Sequence, residues 1–311
     1  MQILGAASIH ALFKQVRERG DGMAERMKPV ISASRRTDLP GCHYAWLQNV
    51  LTKGAVSVRN PVYKNTVSTI DVRPQAIHSL VLWSKNFAPV AENPGQLENY
   101  NLYFQYTINH YAARLEPGVP PYGQTLKTLD RLLRRYRPEQ FTIRFDPVIF
   151  SPAGEISAGP GEPAAVRLQI FEELCRDLIT LGMNGCRLTT SYIALYGHVR
   201  RRLTQNGVEI ATPGDREVIA FFRRMAEIAA RYNLPLYSCA SLLLEQIPQI
   251  QKGHCIDGGQ LTALFDGRAS KARDTGQREA CGCTKSLDIG SYEQRCGHQC
   301  LYCYGQKSLE S

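Results

Sequence analysis

The sequence lacks any run of about 18 consecutive apolar residues, the length that a membrane-spanning helix needs. Its first segment, Met1–Gly20, also lacks the basic start, the full apolar run and the small-residue cleavage site of a secretory signal. We therefore expect a cytoplasmic protein without a membrane partner. In that reducing compartment structural disulfides are rare.

The sequence also lacks internal repeats and low-complexity tracts, and its basic runs lack the interleaved aromatic residues of a nucleic-acid stacking surface. The formal net charge is +9, but two metal clusters held by thiolates would lower it by about 3. The arginine runs Arg134–Arg135 and Arg200–Arg202 are typical of solvated helix faces. We therefore expect a small-molecule substrate rather than nucleic acid.

Short apolar strands alternate with amphipathic helices from residue 28 onward. Because the strands are nearly continuous in apolar or β-branched residues, they indicate burial on both faces. This alternation predicts an α/β fold whose parallel sheet curls into a full or partial (β/α) barrel. The predicted strands are Val30–Ser34, Leu80–Ser84, Leu102–Thr107, Phe141–Phe145, Cys186–Thr190 and Leu236–Cys239. The predicted helices are Leu126–Tyr136, Val166–Leu181 and Val218–Ala230.

The pattern divides the chain into an N-terminal extension (residues 1–27), a barrel (28–240) and a cysteine-rich tail (241–311). The extension predicts one short helix. Segment Ala55–Ile70 predicts a hairpin-like insert, and the Gly- and Pro-rich segment Ser151–Pro163 predicts a surface loop. We expect the tail to pack on the barrel and to close over the carboxyl ends of its strands.

The ten cysteines are unevenly distributed. Cys42, Cys175 and Cys186 are scattered and fit helix or strand interiors as core thiols. The other seven crowd into the C-terminal part of the chain, and such clustering in a reducing compartment points to metal ligation. These seven are Cys239, Cys255, Cys281, Cys283, Cys296, Cys300 and Cys303.

The last three cysteines form a Cys-x-x-x-Cys-x-x-Cys motif in which Tyr302 precedes the final cysteine. Three thiolates on one tight loop can ligate three irons of a 4Fe–4S cluster and leave the fourth iron open. Two alternatives remain. A structural zinc site favours two Cys-x-x-Cys knuckles, and a ferredoxin-type cluster would need Cys281 or Cys283 as its fourth ligand.

The other four cysteines form a second candidate group. Cys239 stands at the end of the last predicted strand, the edge at which barrel proteins build their sites. Together with Cys255, Cys281 and Cys283 it would fully ligate an auxiliary 4Fe–4S cluster suited to relaying electrons. A four-cysteine zinc site and unliganded buried thiols are the alternatives.

The motif at Cys296, Cys300 and Cys303, with an aromatic residue before its last cysteine, resembles the signature of the radical S-adenosylmethionine superfamily. The resemblance implies that the open iron binds S-adenosylmethionine and cleaves it reductively to a 5′-deoxyadenosyl radical, which abstracts hydrogen from a substrate. It also implies an oxygen-sensitive enzyme that needs an electron donor such as flavodoxin or ferredoxin.

The whole chain resembles a bacterial domain-of-unknown-function family over roughly residues 29–305. The segments that carry this resemblance are Ser32–Pro40, Val58–Pro61, Trp83–Asn86, Arg144–Pro147, Gly253–Asp257 and the cysteine tail with its Asp-Ile-Gly segment. Superfamily members mostly carry the cluster loop after their first barrel strand, whereas here it comes last. The resemblance therefore implies a circularly permuted barrel and leaves the substrate unidentified.

Polar residues at the predicted strand ends are candidates for cofactor contacts. By a more distant resemblance to spore photoproduct lyase, Lys85 would pair with the methionyl carboxylate, while Ser34 or Arg144 would hold the rest of the cofactor. Asp146 and Tyr302 complete the expected cofactor site. The alternatives are a structural ion pair between Arg144 and Asp146 and a solvated Lys85.

Arg35, Arg36 and Arg59 would give the pocket mouth a positive field suited to an anionic substrate, unless they pair with Asp38 or Asp71. A non-catalytic protein, with an electron-transfer or structural metal centre, remains the alternative to a radical enzyme. A radical enzyme that acts on nucleic acid is a third reading, and it follows from the lyase resemblance.

Overall fold

The computed structural model describes residues 27–60, 63, 66–150 and 163–305. The expected N-terminal helix and the expected surface loop after Phe150 lie outside the described residues. Within them, no helix combines the length and the apolar character needed to cross a bilayer.

The described residues form ten strands and eight α-helices. The strands are β1 (Val30–Ala33), β2 (Ala55–Arg59), β3 (Val67–Asp71), β4 (Ser79–Ser84), β5 (Leu102–Thr107), β6 (Phe141–Val148), β7 (Arg187–Tyr192), β8 (Leu236–Ser238), β9 (Gln251–Lys252) and β10 (Leu287–Asp288). The α-helices are α1 (Leu39–Cys42), α2 (Tyr44–Lys53), α3 (Ala88–Glu92), α4 (Tyr122–Leu133), α5 (Pro163–Thr180), α6 (Gly197–Gln205), α7 (Asp215–Arg231) and α8 (Gly258–Leu264).

Eight strands form one parallel sheet in the order β10-β1-β4-β5-β6-β7-β8-β9. Its edge strands β10 and β9 do not pair with each other in the described part of the chain, so the sheet is open and does not form a closed barrel. The predicted α/β class, its parallel sheet and the six predicted strands are confirmed. The antiparallel pair β2–β3 confirms the hairpin-like insert.

One face of the sheet carries the helices. Alternate strand residues such as Ile31, Leu82, Phe104 and Phe145 pack into one core with side chains of α1 to α5 and α7. Helix α2 ends at Lys53 and is followed by Gly54, which adopts the left-handed conformation that glycine reaches without steric cost. The three predicted helices are confirmed as α4, α5 and α7.

The opposite face is covered by the chain between the two edge strands. On leaving β9 the chain packs Ile256 and Leu261 against Val30, Val81 and Tyr103, and it then reaches β10 at the other edge. The cysteine-rich tail therefore does more than cover strand ends, because it supplies both edge strands and one packing layer. These two-residue strands escape prediction, since they are too short to show a periodicity.

Candidate functional site

The primary loop, Cys296–Cys303, follows β10 at the carboxyl edge of the sheet. It pairs with the segment after β5, where Gly118 N donates to His298 O (3.0 Å) and Leu301 N donates to Leu115 O (3.0 Å). Cys300 is buried, and Cys296 and Cys303 are half-buried. The three cysteines of the motif thus lie on one loop at the edge where parallel α/β folds build their sites.

The buried side chain of His298, inside the primary loop, binds the loop to the segments that follow β1 and β5. Its Nδ1 donates to Gly118 O (2.9 Å) and its Nε2 donates to Asp38 Oδ2 (2.7 Å), so both ring nitrogens carry a proton. Burial lowers the pKa of His298, but the Asp38 carboxylate outweighs burial and raises it to about 9. The imidazolium and the carboxylate form a buried ion pair beside Cys296.

Asp38 connects the loop to two strands of the sheet. Its Oδ1 caps α1 by accepting from Gly41 N (2.7 Å). Its Oδ2 also accepts from Ser84 Oγ (2.8 Å) and Lys85 N (3.0 Å) at the end of β4. One carboxylate therefore fixes the ends of β1 and β4 relative to the primary loop.

Helix α6 holds the second half of the primary loop. Arg202 donates through Nε to Leu301 O (2.9 Å) and through Nη2 to Cys303 O (2.5 Å). Val199 and Leu203 of the same helix pack beside Leu301 in a small apolar cluster. The expectation that this arginine run forms a solvated helix face is wrong for Arg202, because the fold brings α6 against the loop.

Cys42 also departs from expectation. It is not a core thiol but the last residue of α1, half-buried, with its Sγ 3.9 Å from Cys296 Sγ. Their hydrogen bond lowers the pKa of Cys296 to about 6 and raises the pKa of Cys42. Cys175 and Cys186 are buried in the core as predicted.

The second group of cysteines is brought together as well. Cys239 Sγ and Cys255 Sγ lie 3.2 Å apart, and the Cys283 thiol interacts with those of Cys255 and Cys281. The bonds from Cys239 and Cys283 hold the pKa of Cys255 well below its ordinary value, despite burial. Thiols from three separate segments therefore converge beside the end of β8.

Arginines surround this second group. Arg144 Nη1 donates to Cys255 Sγ (3.0 Å). Arg35 acts electrostatically on Cys283, and Arg278 acts on Cys239. The hydrogen bonds with Cys255, together with burial, raise the pKa of Cys239 and of Cys283. Because cations stabilise thiolates, these guanidinium groups oppose that rise.

A buried polar network lies around Lys85 beside the primary loop. Lys85 Nζ forms an ion pair with Glu116 Oε1 (2.8 Å), which also accepts from the Tyr302 hydroxyl. Burial disfavours both charges, yet their attraction raises the pKa of Lys85 and lowers that of Glu116. Lys85 is therefore not solvated, and its predicted pairing with a methionyl carboxylate stays a prediction.

The same network continues to the second group of cysteines. Asn109 Nδ2 donates to the Tyr302 hydroxyl (3.0 Å), and Asp146 N donates to Asn109 Oδ1 (2.7 Å). Asp146 forms an ion pair with Arg144, which reaches Cys255. The predicted residues Lys85, Tyr302, Asp146 and Arg144 thus lie on one chain of contacts between the two groups. Sequence reasoning missed Glu116 and Asn109, because they follow β5 in an irregular segment without a motif.

Ser34 binds an acid that sequence reasoning also missed. Ser34 Oγ donates to Asp288 Oδ1 (2.6 Å), and Asp288 Oδ2 accepts from Ser32 Oγ (2.9 Å) and Arg35 N (2.8 Å). Asp288 lies in β10, which pairs with β1. Its position in the Asp-Ile-Gly segment that carries the family resemblance was the only available signal.

The three arginines expected at a pocket mouth do not form one cluster. Arg35 donates to Ser286 Oγ (2.9 Å) and pairs with Asp274 (3.3 Å) near the second group of cysteines. Arg36 Nη1 donates to Gly290 O (3.0 Å). Arg59, at the end of β2 in the hairpin, forms an exposed ion pair with Glu293. Arg35 and Arg36 also share Asp288, at 3.8 Å and 4.0 Å, whereas Arg59 lies apart from both. None of these partners is Asp38 or Asp71.

A cavity of about 200 Å³ lies elsewhere, lined by residues that precede β4 and β5, among them Ile77, His78 and Asn101. It is thus at the amino edge of the sheet, and no predicted site residue lines it. The chemistry of this fold is concentrated at the carboxyl edge.

The donor sets are suited to soft metal centres. Three thiols on one loop match a cluster with one open iron, and four converging thiols match a fully ligated centre. A further group of possible ligands, Cys42, Cys296 and His298, has its donor atoms within 4.8 Å of one another. Because both nitrogens of His298 already donate hydrogen bonds, we regard the two thiols as the donors in this group.

The family described as Domain of unknown function (DUF1848) matches residues 30–305. No curated protein matches the chain.

Proposed function

The chain belongs to the DUF1848 family, and from its two groups of thiols we propose that it is a radical S-adenosylmethionine enzyme. The observation that carries the proposal is the primary loop, with its Cys-x-x-x-Cys-x-x-Cys spacing, fastened at the carboxyl edge of a parallel sheet. When bound, a 4Fe–4S cluster supplies the electron that cleaves S-adenosylmethionine to methionine and a 5′-deoxyadenosyl radical.

The strand order supports this reading. In the superfamily that the motif resembles, the cluster loop follows the first strand of the barrel. Here the loop follows β10, and β10 pairs in parallel with β1 at the edge of the sheet. We infer that β10 takes the place of that first strand, so that the open sheet is a partial barrel in circularly permuted order.

In this proposal the side chains around the loop have separate tasks. Cys296, Cys300 and Cys303 would hold the cluster. The ion pair of Asp38 with His298 keeps the loop in place, and burial of Cys300 excludes water. Lys85 would share its ammonium between Glu116 and the methionyl carboxylate, since an ammonium has three donors.

The second group of cysteines would hold an auxiliary 4Fe–4S cluster. Four thiolates from Cys239, Cys255, Cys281 and Cys283 saturate its ligation, while Arg144 neutralises part of their charge. The contact chain from Arg144 to Lys85 ties the two groups together. A zinc ion has the same ligand preference, so metal analysis must decide between the two.

We propose a small-molecule substrate that binds near both groups. The arginines give no support to an anionic substrate, since Arg35, Arg36 and Arg59 bind partners within the protein. An oxygen-sensitive cluster fits a reducing compartment such as the cytoplasm, with flavodoxin or ferredoxin as the electron donor.

A second candidate function follows from Cys42. With Cys296 3.9 Å away, this thiol raises the number available around the primary loop to four. Four permanent thiolate ligands would make a closed electron-transfer centre of ferredoxin type. That reading predicts no reaction with S-adenosylmethionine.

The test is anaerobic reconstitution with iron and sulfide, followed by reduction with dithionite and measurement of 5′-deoxyadenosine. We expect product from the parent protein and none from the Cys296→Ala, Cys300→Ala or Cys303→Ala variants. Cys186→Ala is the matched control, because Cys186 lies in the core away from both groups. Equal product from all variants would refute the proposal, and no product from a fully loaded parent would favour the electron-transfer function.

A further inference from the structure

The contact between Cys42 and Cys296 is enforced on both sides of the pair. Before Cys42, the Asp38 cap of α1 binds His298 of the primary loop (2.7 Å). After it, His43 Nε2 donates to Arg295 O (2.9 Å), directly before Cys296. Because α1 is a single turn, these two contacts leave Cys42 little freedom to move away from the loop.

The surroundings of Cys42 leave it suited to ligation rather than packing. It is half-buried, like Cys296 and Cys303, and it is not part of the apolar core that contains Cys175 and Cys186. Residue Gly297 of the loop has no side chain, and a Cβ there would contact Cys42 Sγ at 3.4 Å. The thiol thus lies directly against the backbone of the cluster motif.

We propose that Cys42 is an exchangeable fourth ligand of the primary cluster, a role that rests on the proposed function. Without S-adenosylmethionine, the Cys42 thiol would give its proton to solvent, and its thiolate would bind the iron that the three motif cysteines leave open. When S-adenosylmethionine is present, the amino and carboxylate groups of its methionyl moiety would replace the Cys42 sulfur on that iron. The displaced thiolate would take back a proton from solvent, and no electron would be transferred.

Such a ligand has a clear consequence for the protein. A cluster with an open iron is exposed to water and oxygen, whereas a cluster with four thiolates is saturated. Cys42 would protect the cluster in the resting protein by occupying its open iron, and would leave that iron when S-adenosylmethionine binds. The structure offers this role to no other described thiol, since the remaining cysteines lie in the core or in the second group.

The first experiment measures the reactivity of Cys42. Metal-free and cluster-loaded protein are treated anaerobically with iodoacetamide, and the peptide that contains Cys42 is quantified by mass spectrometry. We expect alkylation to be at least about tenfold slower in the loaded protein, and to recover when S-adenosylmethionine is added. Equal rates in metal-free and loaded protein would overturn the proposal.

The second experiment separates ligation from mere shielding. The electron paramagnetic resonance spectrum of the dithionite-reduced, cofactor-free protein is compared between the parent, Cys42→Ala, Cys42→Ser and the control Cys175→Ala. In the cofactor-free protein we expect changed g-values in both Cys42 variants and the parent's g-values in Cys175→Ala. After S-adenosylmethionine is added, the Cys42 variants should give the same spectrum as the parent with S-adenosylmethionine. Cys42 variants with the parent's cofactor-free spectrum would refute ligation.

The two proposals fail in different ways. If S-adenosylmethionine alters neither the spectrum nor the alkylation rate, the enzyme function fails. Protection of Cys42 and the altered spectra of its variants would then still establish it as a permanent fourth ligand, and its exchange with the cofactor would be refuted.

Discussion

Replacing Asp38 by asparagine tests how the primary loop is held. The carboxylate accepts hydrogen bonds from His298, Gly41, Ser84 and Lys85. Asparagine keeps the oxygen that caps α1 but places an amide NH₂ group where Oδ2 accepts from three donors. The backbone N–H of Lys85 and the imidazolium of His298 then face a donor instead of an acceptor.

The cost follows from the burial of this pair. Removing one partner of a buried ion pair costs about 3–5 kcal/mol, because the other charge is left uncompensated. We expect Asp38→Asn to lower the free energy of unfolding of the metal-free protein by an amount in that range. The loaded variant should also retain less iron, because the ion pair between Asp38 and His298 no longer holds the backbone between Cys296 and Cys300 in place.

The assay is urea unfolding followed by circular dichroism, together with iron analysis after gel filtration. The control is Asp130→Asn, which breaks an exposed ion pair with Arg134 and should cost only a few tenths of a kcal/mol. If Asp38→Asn is as stable as the control and retains the same iron, the role of the buried pair is refuted.

Three further predictions concern other contacts of the site. Arg202→Ala should lower the free energy of unfolding by about 2 kcal/mol in urea titrations and reduce the retained iron, because two carbonyls of the loop lose a charged donor. The control is Arg200→Ala, which replaces an exposed arginine of the same helix. Equal effects of the two substitutions would contradict the role assigned to Arg202. Glu116→Gln should cost about 3–5 kcal/mol near neutral pH. Burial disfavours the Glu116 carboxylate, but Lys85 outweighs burial and lowers the pKa of Glu116 in the folded protein. Its contribution to stability is therefore fully present above the ordinary carboxyl pKa and is lost as pH falls through the lowered one. Urea unfolding at two pH values should therefore show the gap between parent and variant closing on acidification, and a constant gap would argue against the ion pair with Lys85. Arg144→Gln should make the reduction potential of the proposed auxiliary cluster more negative by on the order of 60 mV, a tenfold change for a one-electron couple. A redox titration measures this shift, and an unchanged potential would exclude tuning by Arg144.

The fold was largely predictable because its main strands and helices carry strong patterns. Buried strands such as Phe141–Val148 are continuous in apolar residues on one face, and the long helices show an apolar stripe. Closure into a barrel was not predictable, because it depends on whether β9 and β10 meet. Strands of two residues leave no periodicity from which to judge.

The cysteines of both groups were predictable from spacing and clustering, whereas their partners were not. Asp288 and Glu116 hold the site through contacts with residues more than a hundred positions away, such as Ser34 and Tyr302. Cys42 was misread as a core thiol for the same reason. Its neighbour Cys296 is distant in the chain, and only the pairing of β10 with β1 brings α1 to the loop.

The central claim is that the primary loop holds a cluster that cleaves S-adenosylmethionine. Its most direct measurement is the amount of 5′-deoxyadenosine formed per chain by the reduced, reconstituted protein and by its Cys300→Ala variant, with iron content determined for both. We predict product from the parent and none from the variant. Product from both, or none from a parent with a complete and reducible cluster, would contradict it.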